Sequence, residues 1–297
     1  MSSDWRPLHA RDSVSPAEFD GPYDGVPEWL LPRLWEWCEN LMPSIWRGRT
    51  YSFDPIAIRA WRDMGLALHI AVPDAYVEEG HKLQGAWYEH IRGRPDHLLS
   101  VADYVLSHVL QRSNTGDQKS VAELGGMLSD AGSVWEVSSD GALWYLSRRV
   151  GDEARAAADS IMAGSDRAAE YMRRAWRSVY GREPVPADGY RDAIRAVEAA
   201  AIPVVSPLNT KATLGTIIAD MRAAPHKWTV QLNHPSHEAQ VRAVADCLDL
   251  VWKGDLRHGT PDEATPVALT LQEAEAALHL SLTMVKWFRD GIVVRLE

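Results

Sequence analysis

The chain has 297 residues, too many for one helical domain of ordinary size, so two folded units are expected. With 46% hydrophobic and 24% charged residues it has the composition of a globular protein, and nothing in it marks long disorder. A net charge of -10 repels polyanions, which excludes nucleic-acid binding through a broadly basic surface and leaves only local patches for that purpose.

The two cysteines, Cys38 and Cys247, lie far apart in apolar helical patterns and read as small buried hydrophobes, which points to a reducing compartment. No apolar run approaches the roughly 20 residues needed to span a bilayer, and no apolar segment follows the first charges, so a cytoplasmic protein without a membrane span is expected. The thirteen tryptophans fall mostly on helical stripes and are assigned to packing.

In chain order, residues 1–26 carry no period and read as an irregular arm. From Pro27, the segment PEWLLPRLWEWCENL places Leu30, Leu34, Trp37, Cys38 and Leu41 on one helical face. Asp54-Pro55 supplies an N-cap followed by proline at the first helical position, opening a helix through Ile58, Trp61 and Leu68. Two further stripes follow, one of Leu83, Trp87 and Ile91, the other of Leu98, Val101, Val105 and Val109. The β-prone runs Val134 to Val137 and Leu143 to Leu146, joined by Ser-Ser-Asp-Gly, predict one hairpin near residues 133–149. Helix is expected again from 152 to 180, and GREPVPADG between Gly181 and Gly189 reads as the linker. The N-terminal domain is therefore expected over 27–182 and the C-terminal one over 186–297.

Four helices are expected in the C-terminal part. Tyr190, Ile194, Val197, Ala201 and Val204 mark the first, ended by Pro203 and Pro207, and KATLGTIIADMRAA carries the second. The third runs from about Ser236 to Trp252 with Gly254 placed to end it; the fourth opens on a Thr270/Glu273 capping box, buries Leu271, Leu278, Leu282 and Val285, and stops at Asp290-Gly291. Short connections imply an up-and-down bundle, making the fold mainly α: a helical N-terminal array with one hairpin, then a four-helix bundle.

Common catalytic signatures are absent: there is no Gly-rich Lys loop, GxGxxG, GxSxG, HExxH or paired CxxC. His226, His234 and His237 lie close together without thiolate or carboxylate partners and read as a solvated loop, so no metal is called for. The most informative stretch is LVWKGDLRHGTP, which gathers Lys253, Asp255, Arg257 and His258 at a helix exit. The competing reading has Arg257 and His258 satisfying the last carbonyls of the helix, with Asp255 pairing locally.

The succession YRDAIRAVEAAAIPVV, KATLGTIIADM, LDLVWKGDLRHG and LTLQEAEAALHLSLTMVKWF resembles the C-terminal domain of abortive-infection proteins, a branch of the HEPN superfamily of helical bundles found in prokaryotic toxins and phage-defence proteins. It covers about residues 186 to 290. More loosely, GSVWEVSSDGALWYLSRRV resembles regions attached ahead of such domains. The resemblance implies a homodimer formed through the bundle, a phage or host protein as trigger, and metal-independent RNA cleavage with no cofactor.

In that chemistry the neighbouring 2′-OH attacks the phosphate, so the protein supplies a proton acceptor and donor together with fixed positive charge. By the resemblance His258 takes the histidine position. The arginine position is degenerate: five residues back stands Lys253, and Arg257 is adjacent instead. Lysine keeps the charge but not the bidentate contact. Either Lys253 substitutes, or Arg257 reaches the site, or the domain has become a dimerisation or sensing module. Glu198 reads either as an inward partner for a cation such as Arg257 or as an exposed carboxylate on an alanine-rich helix, and His279 as a satisfied core histidine. In YMRRAWRSVYGR the residues Arg173, Arg174, Trp176 and Arg177 form a candidate RNA-binding patch, weighed against a solvated helix face whose arginines pair with nearby acids. A helical interaction protein, of phage or prophage origin, that binds a protein partner is the alternative function.

Overall fold

A computed structural model describes residues 22–44, 46–47, 52–71, 80–209, 211–233, 235–254 and 268–296. The protein is mainly α-helical, as expected, and the chain divides into two compact units, one ending at Arg149 and the other beginning at Val150.

The first unit contains α1 (Leu31–Leu41), a two-residue strand pair β1 (Trp46–Arg47) and β2 (Ser52–Phe53), α2 (Pro55–Ala67), α3 (Gly80–Gly93), α4 (Asp96–Tyr104) running into a π-helical turn at Val105–Val109, α5 (Thr115–Asp130), and the antiparallel pair β3 (Trp135–Ser139) and β4 (Trp144–Arg148). Asp54 caps α2 by accepting from the Ile56 N–H at 2.9 Å, with Pro55 following as the sequence predicts. Leu34, Trp61, Trp87, Leu98, Leu106 and Leu124 are essentially inaccessible to solvent and form one core, in which Trp35, Trp61 and Trp87 meet at tilted angles. Indole N–H groups of this core find backbone acceptors: Trp37 donates to Ser120 O at 2.9 Å and Trp61 to Pro43 O at 3.2 Å.

The hairpin is present one or two residues later than the apolar runs suggested. Ser138 and Ser139 belong to β3, and the turn is made by Asp140, whose carboxylate accepts from the Ala142 and Leu143 N–H groups, with Gly141 at φ +93°. The end of the supposed arm is also held: Tyr23 bonds with the backbone of Gly132 and Val134, Asp24 pairs with Arg148 at 2.8 Å, and Asp24 O accepts from the Trp135 indole.

The second unit contains α6 (Asp152–Met162), α7 (Arg167–Tyr180), α8 (Pro186–Val205), α9 (Leu214–Ala223), a 3₁₀ turn (Pro225–Lys227), β5 (Trp228–Val230), α10 (His237–Lys253), α11 (Leu271–Arg289) and β6 (Val293–Arg295), which pairs antiparallel with β5. The four helices read from the sequence are α8 to α11. Pro203 does not stop α8 at once: it removes one N–H donor from the ladder, and the helix ends two residues later at Val205.

The boundary expected at Gly181–Gly189 is corrected. Ala168, Met172, Ala175, Trp176 and Val179 of α7 are buried in the same core as Ile194 and Val197 of α8 and Leu278 and Val285 of α11. Only residues 181–185 of GREPVPADG form a tight interhelical loop, closed by Val185 N–H donating to Ser178 O; Pro186–Gly189 already belong to α8, where a Cβ at Gly189 would lie 2.6 Å from Val179. Both α6 and α7 belong with the C-terminal helices, since Ala158, Ile161 and Met162 of α6 join the same core as the apolar stripe of α7. Alanines 193, 196, 200 and 201 on α8 are buried, and their small size lets this central helix be approached from several sides.

Candidate functional site

The C-terminal end of α10 is where the sequence concentrates charge. Ser236 caps the start of this helix by accepting from Ala239 N–H, and Val241, Val244, Leu248 and Val251 anchor its inner face. The outward side near its end carries Asp246, Asp249 and Lys253. Lys253 Nζ lies 2.7 Å from Asp249 Oδ2, and Arg222, in the last turn of α9, lies 3.1 Å from the same oxygen and 2.6 Å from Asp246 Oδ1. Hydrogen bonds from Lys253 and then Arg222 hold the Asp249 carboxyl below its ordinary range despite partial burial. Lys253 itself remains largely exposed.

Tyr190 of α8 donates its hydroxyl to Val251 O at 2.9 Å, satisfying one of the helix-end carbonyls of α10. Gly254 ends the helix with right-handed backbone angles, φ -72° and ψ -9°, so it is not there for a left-handed cap. A Cβ at this position would overlap the Tyr190 hydroxyl. Beside Tyr190 and Gly254 is an open depression of about 310 Å³, bordered also by Leu250, Leu269, Glu273 and Leu280. Leu250 is 70% exposed at its edge. Glu273 is committed to the capping box of α11: its Oε2 accepts from Thr270 N–H at 2.8 Å and Thr270 Oγ1 at 2.7 Å, which draws its carboxyl below the usual range.

Asp255, Arg257 and His258 lie outside the described residues, as does His234. Glu198 has a structural role. Its carboxylate accepts from Leu214 N–H at 2.8 Å, placing negative charge on an otherwise orphaned amide at the start of α9. It is half-buried, so the reading as an exposed carboxylate is corrected.

The patch on α7 is also corrected. Trp176 is fully enclosed, with Arg155 5.7 Å above its ring, so neither face is open for a base to stack. Arg173 donates to Gly164 O at 2.9 Å and to Met162 O, tying α7 to the end of α6. Arg174 pairs at 3.0 Å with the buried Asp192, which also holds Arg195 at 3.2 Å, and both guanidinium groups lie over the Tyr171 ring. Arg177 is half-buried. These side chains knit α6, α7 and α8 together.

His279 is half-buried on α11 and shares a 2.7 Å hydrogen bond with Tyr180 of α7, edge-on to Trp176. Burial and then the charge of Glu275 push the Tyr180 hydroxyl up to about 12. His237 is exposed and contacts Thr229 Oγ1 at 3.1 Å, and His226 is exposed. Among the described residues no group of three or more His, Cys, Asp or Glu is arranged to hold a metal ion, and no helix is long and apolar enough to cross a membrane.

Sequence reasoning missed the parts of this region contributed from outside α10. The Asp249/Lys253 pair is legible as an i,i+4 spacing. Arg222 and Tyr190 come from other helices and join only through the tertiary fold. No protein-family model, curated protein or solved structure matches the chain.

Proposed function

We propose that the protein is a phage-defence protein of abortive-infection type, whose C-terminal helices form a HEPN-like bundle that dimerises and acts on RNA beside the end of α10. The observation that carries this reading is the order α8, α9, α10, α11 around one core, with Lys253 in the last turn of α10, four residues ahead of Arg257 in the Arg257-His258-Gly259 sequence. In the reaction, His258 takes the proton of the ribose 2′-OH as the oxygen attacks phosphorus; the P–O5′ bond breaks, and a proton returns to the leaving oxygen, from the partner protomer's copy of the site or from water. The products are a 2′,3′-cyclic phosphate and a 5′-hydroxyl. Lys253 and Arg257 supply positive charge to the phosphate. The first unit restrains or triggers this activity.

The test is the chemistry of the ends. RNA incubated with the purified chain in EDTA is expected to yield 2′,3′-cyclic phosphate termini, and 2′-deoxy substitution at the cut position is expected to block cleavage there. Products with 5′-phosphate ends, or cleavage that stops on chelation, contradict the reading.

The pairing of Lys253 with Asp249 supports a second reading, in which the domain is a non-catalytic interaction or sensing module that binds a protein partner, because this ion pair offsets the charge the phosphate would need. Absence of cleavage together with recovery of a stable protein complex favours it.

A further inference from the structure

In the first unit, a tight connection brings His90, in the last turn of α3, against His97, in the first turn of α4. Arg94 N–H donates to His90 O at 3.0 Å and to Ile91 O at 3.1 Å, while His97 N–H donates to Arg94 O at 3.1 Å and Leu98 N–H to Pro95 O at 2.9 Å. Ile91 and Leu98, the neighbours of the two histidines, are fully buried, so both ends of the connection are anchored in the core. The His90 ring stands edge-on to the enclosed Trp87 at 74°. Both imidazoles are half-buried, which leaves them open to solvent on one side.

His90 Nε2 lies 2.9 Å from His97 Nδ1, and the ring centroids are 5.0 Å apart. Two imidazoles bound to one metal ion at about 2.0–2.1 Å, at an angle between right and tetrahedral, hold their nitrogens about 2.9–3.4 Å apart and their centroids about 4.5–5.2 Å apart. The observed spacings fall in both ranges, so an ion can enter by a tilt of the rings with the backbone in place. Burial, then the charges of His97 and Arg94, lower the His90 pKa and keep its ring neutral at neutral pH. With both rings neutral, the one that donates across the pair moves its proton to its other ring nitrogen, and both facing lone pairs become free without net proton release. Glu89 and Asp96 balance Arg92 and Arg94 over this stretch, so no excess of positive charge repels a cation.

We propose that His90 and His97 form a two-imidazole binding site for a divalent transition-metal ion of the copper, nickel and zinc group, with water in its other positions. Imidazole suits these ions, whereas magnesium and calcium require oxygen ligands. Among the described residues no third His, Cys, Asp or Glu completes the set, which is why water is assigned there. The RNA chemistry proposed for the second unit does not draw on this ion.

The test uses copper(II), added to the full chain at about pH 7.5, above the ordinary histidine range. Calorimetry is expected to show uptake of one ion, and electron paramagnetic resonance to show two coordinated imidazole nitrogens. Ring-proton NMR at substoichiometric copper is expected to broaden the signals of His90 and His97 first. His97→Gln is expected to weaken uptake about tenfold or more, as is His90→Gln, while His237→Gln, an exposed histidine of the second unit, leaves it unchanged. The NMR and resonance measurements need only the natural chain, so a variant that fails to fold does not remove the test. Broadening that begins at other histidines overturns the proposal, as do a single coordinated nitrogen or undiminished uptake by the folded His97→Gln and His90→Gln variants.

Discussion

The hydroxyl of Tyr190 occupies the space that any side chain at Gly254 would require, and from there it donates to Val251 O at 2.9 Å. The glycine thus serves close approach between α8 and the end of α10. Gly254→Ala is expected to displace the ring and destabilise the second unit by about 1–3 kcal/mol. Tyr190→Phe is expected to cost about 1 kcal/mol through the unmet carbonyl. Tyr190→Leu combined with Gly254→Ala is expected to cost less than the two singles together, a coupling readable by urea denaturation.

Tyr180 provides a pH signature. Burial raises the Tyr180 hydroxyl from 10 to about 12 in the folded protein. Folding therefore favours the protonated phenol; its contribution is fully present below pH 10 and is lost as pH rises through about 12. After solvent screening the effect amounts to about 1–2 kcal/mol. Urea unfolding at about pH 9 and pH 11.5 is expected to show this alkaline loss in the natural chain and to show it reduced in Tyr180→Phe.

In the first unit, His90 Nε2 lies 2.9 Å from His97 Nδ1, beside the edge of Trp87. Burial, then the charges of His97 and Arg94, lower the His90 pKa. Folding favours the neutral ring, so its contribution is present above the ordinary value of 6.5 and is lost as pH falls below it through the depressed value. A ring-proton NMR titration is expected to place the His90 midpoint below 6.5, and a midpoint at or above 6.5 contradicts the geometry.

The helices were legible where one residue pattern settled both period and cap: Asp54-Pro55 opens α2, and Thr270 with Glu273 opens α11. The strand pair of Trp228–Val230 with Val293–Arg295 was missed because each strand has three residues, too few to show alternation, and is stabilised by a partner far away in sequence. The domain boundary was misplaced because a Gly- and Pro-rich loop looks alike whether it joins two domains or two helices; the apolar stripe of α7, ending in Trp176 and Val179, decides the matter only when α8 is seen against it. The same holds for the candidate RNA patch, where spacing shows Arg174 beside Trp176 but not that one pairs with Asp192 and the other is sealed in the core. At the candidate site the charge of Lys253 is visible and its partner Asp249 stands at an i,i+4 spacing, whereas Arg222, which shares that carboxylate, comes from another helix.

Asp249 ties Lys253 and Arg222 to one carboxylate. Asp249→Asn is expected to release Lys253 toward a phosphate, while Arg222 stays on Asp246, and to raise RNA affinity several-fold at low salt. The stability cost is small, about 1 kcal/mol, because Lys253 and Arg222 keep much of their hydration although Asp249 is half-buried. Filter binding across a salt series checks the effect, and unchanged affinity would remove Lys253 from the account.

The most direct test of the central claim is cleavage of labelled RNA in EDTA by the full chain, run beside a His258→Ala variant whose folding is verified by circular dichroism. The account predicts cleavage that survives chelation in the natural chain and disappears in the variant. Equal cleavage by both proteins, or none by either over several RNAs at high concentration, would contradict it.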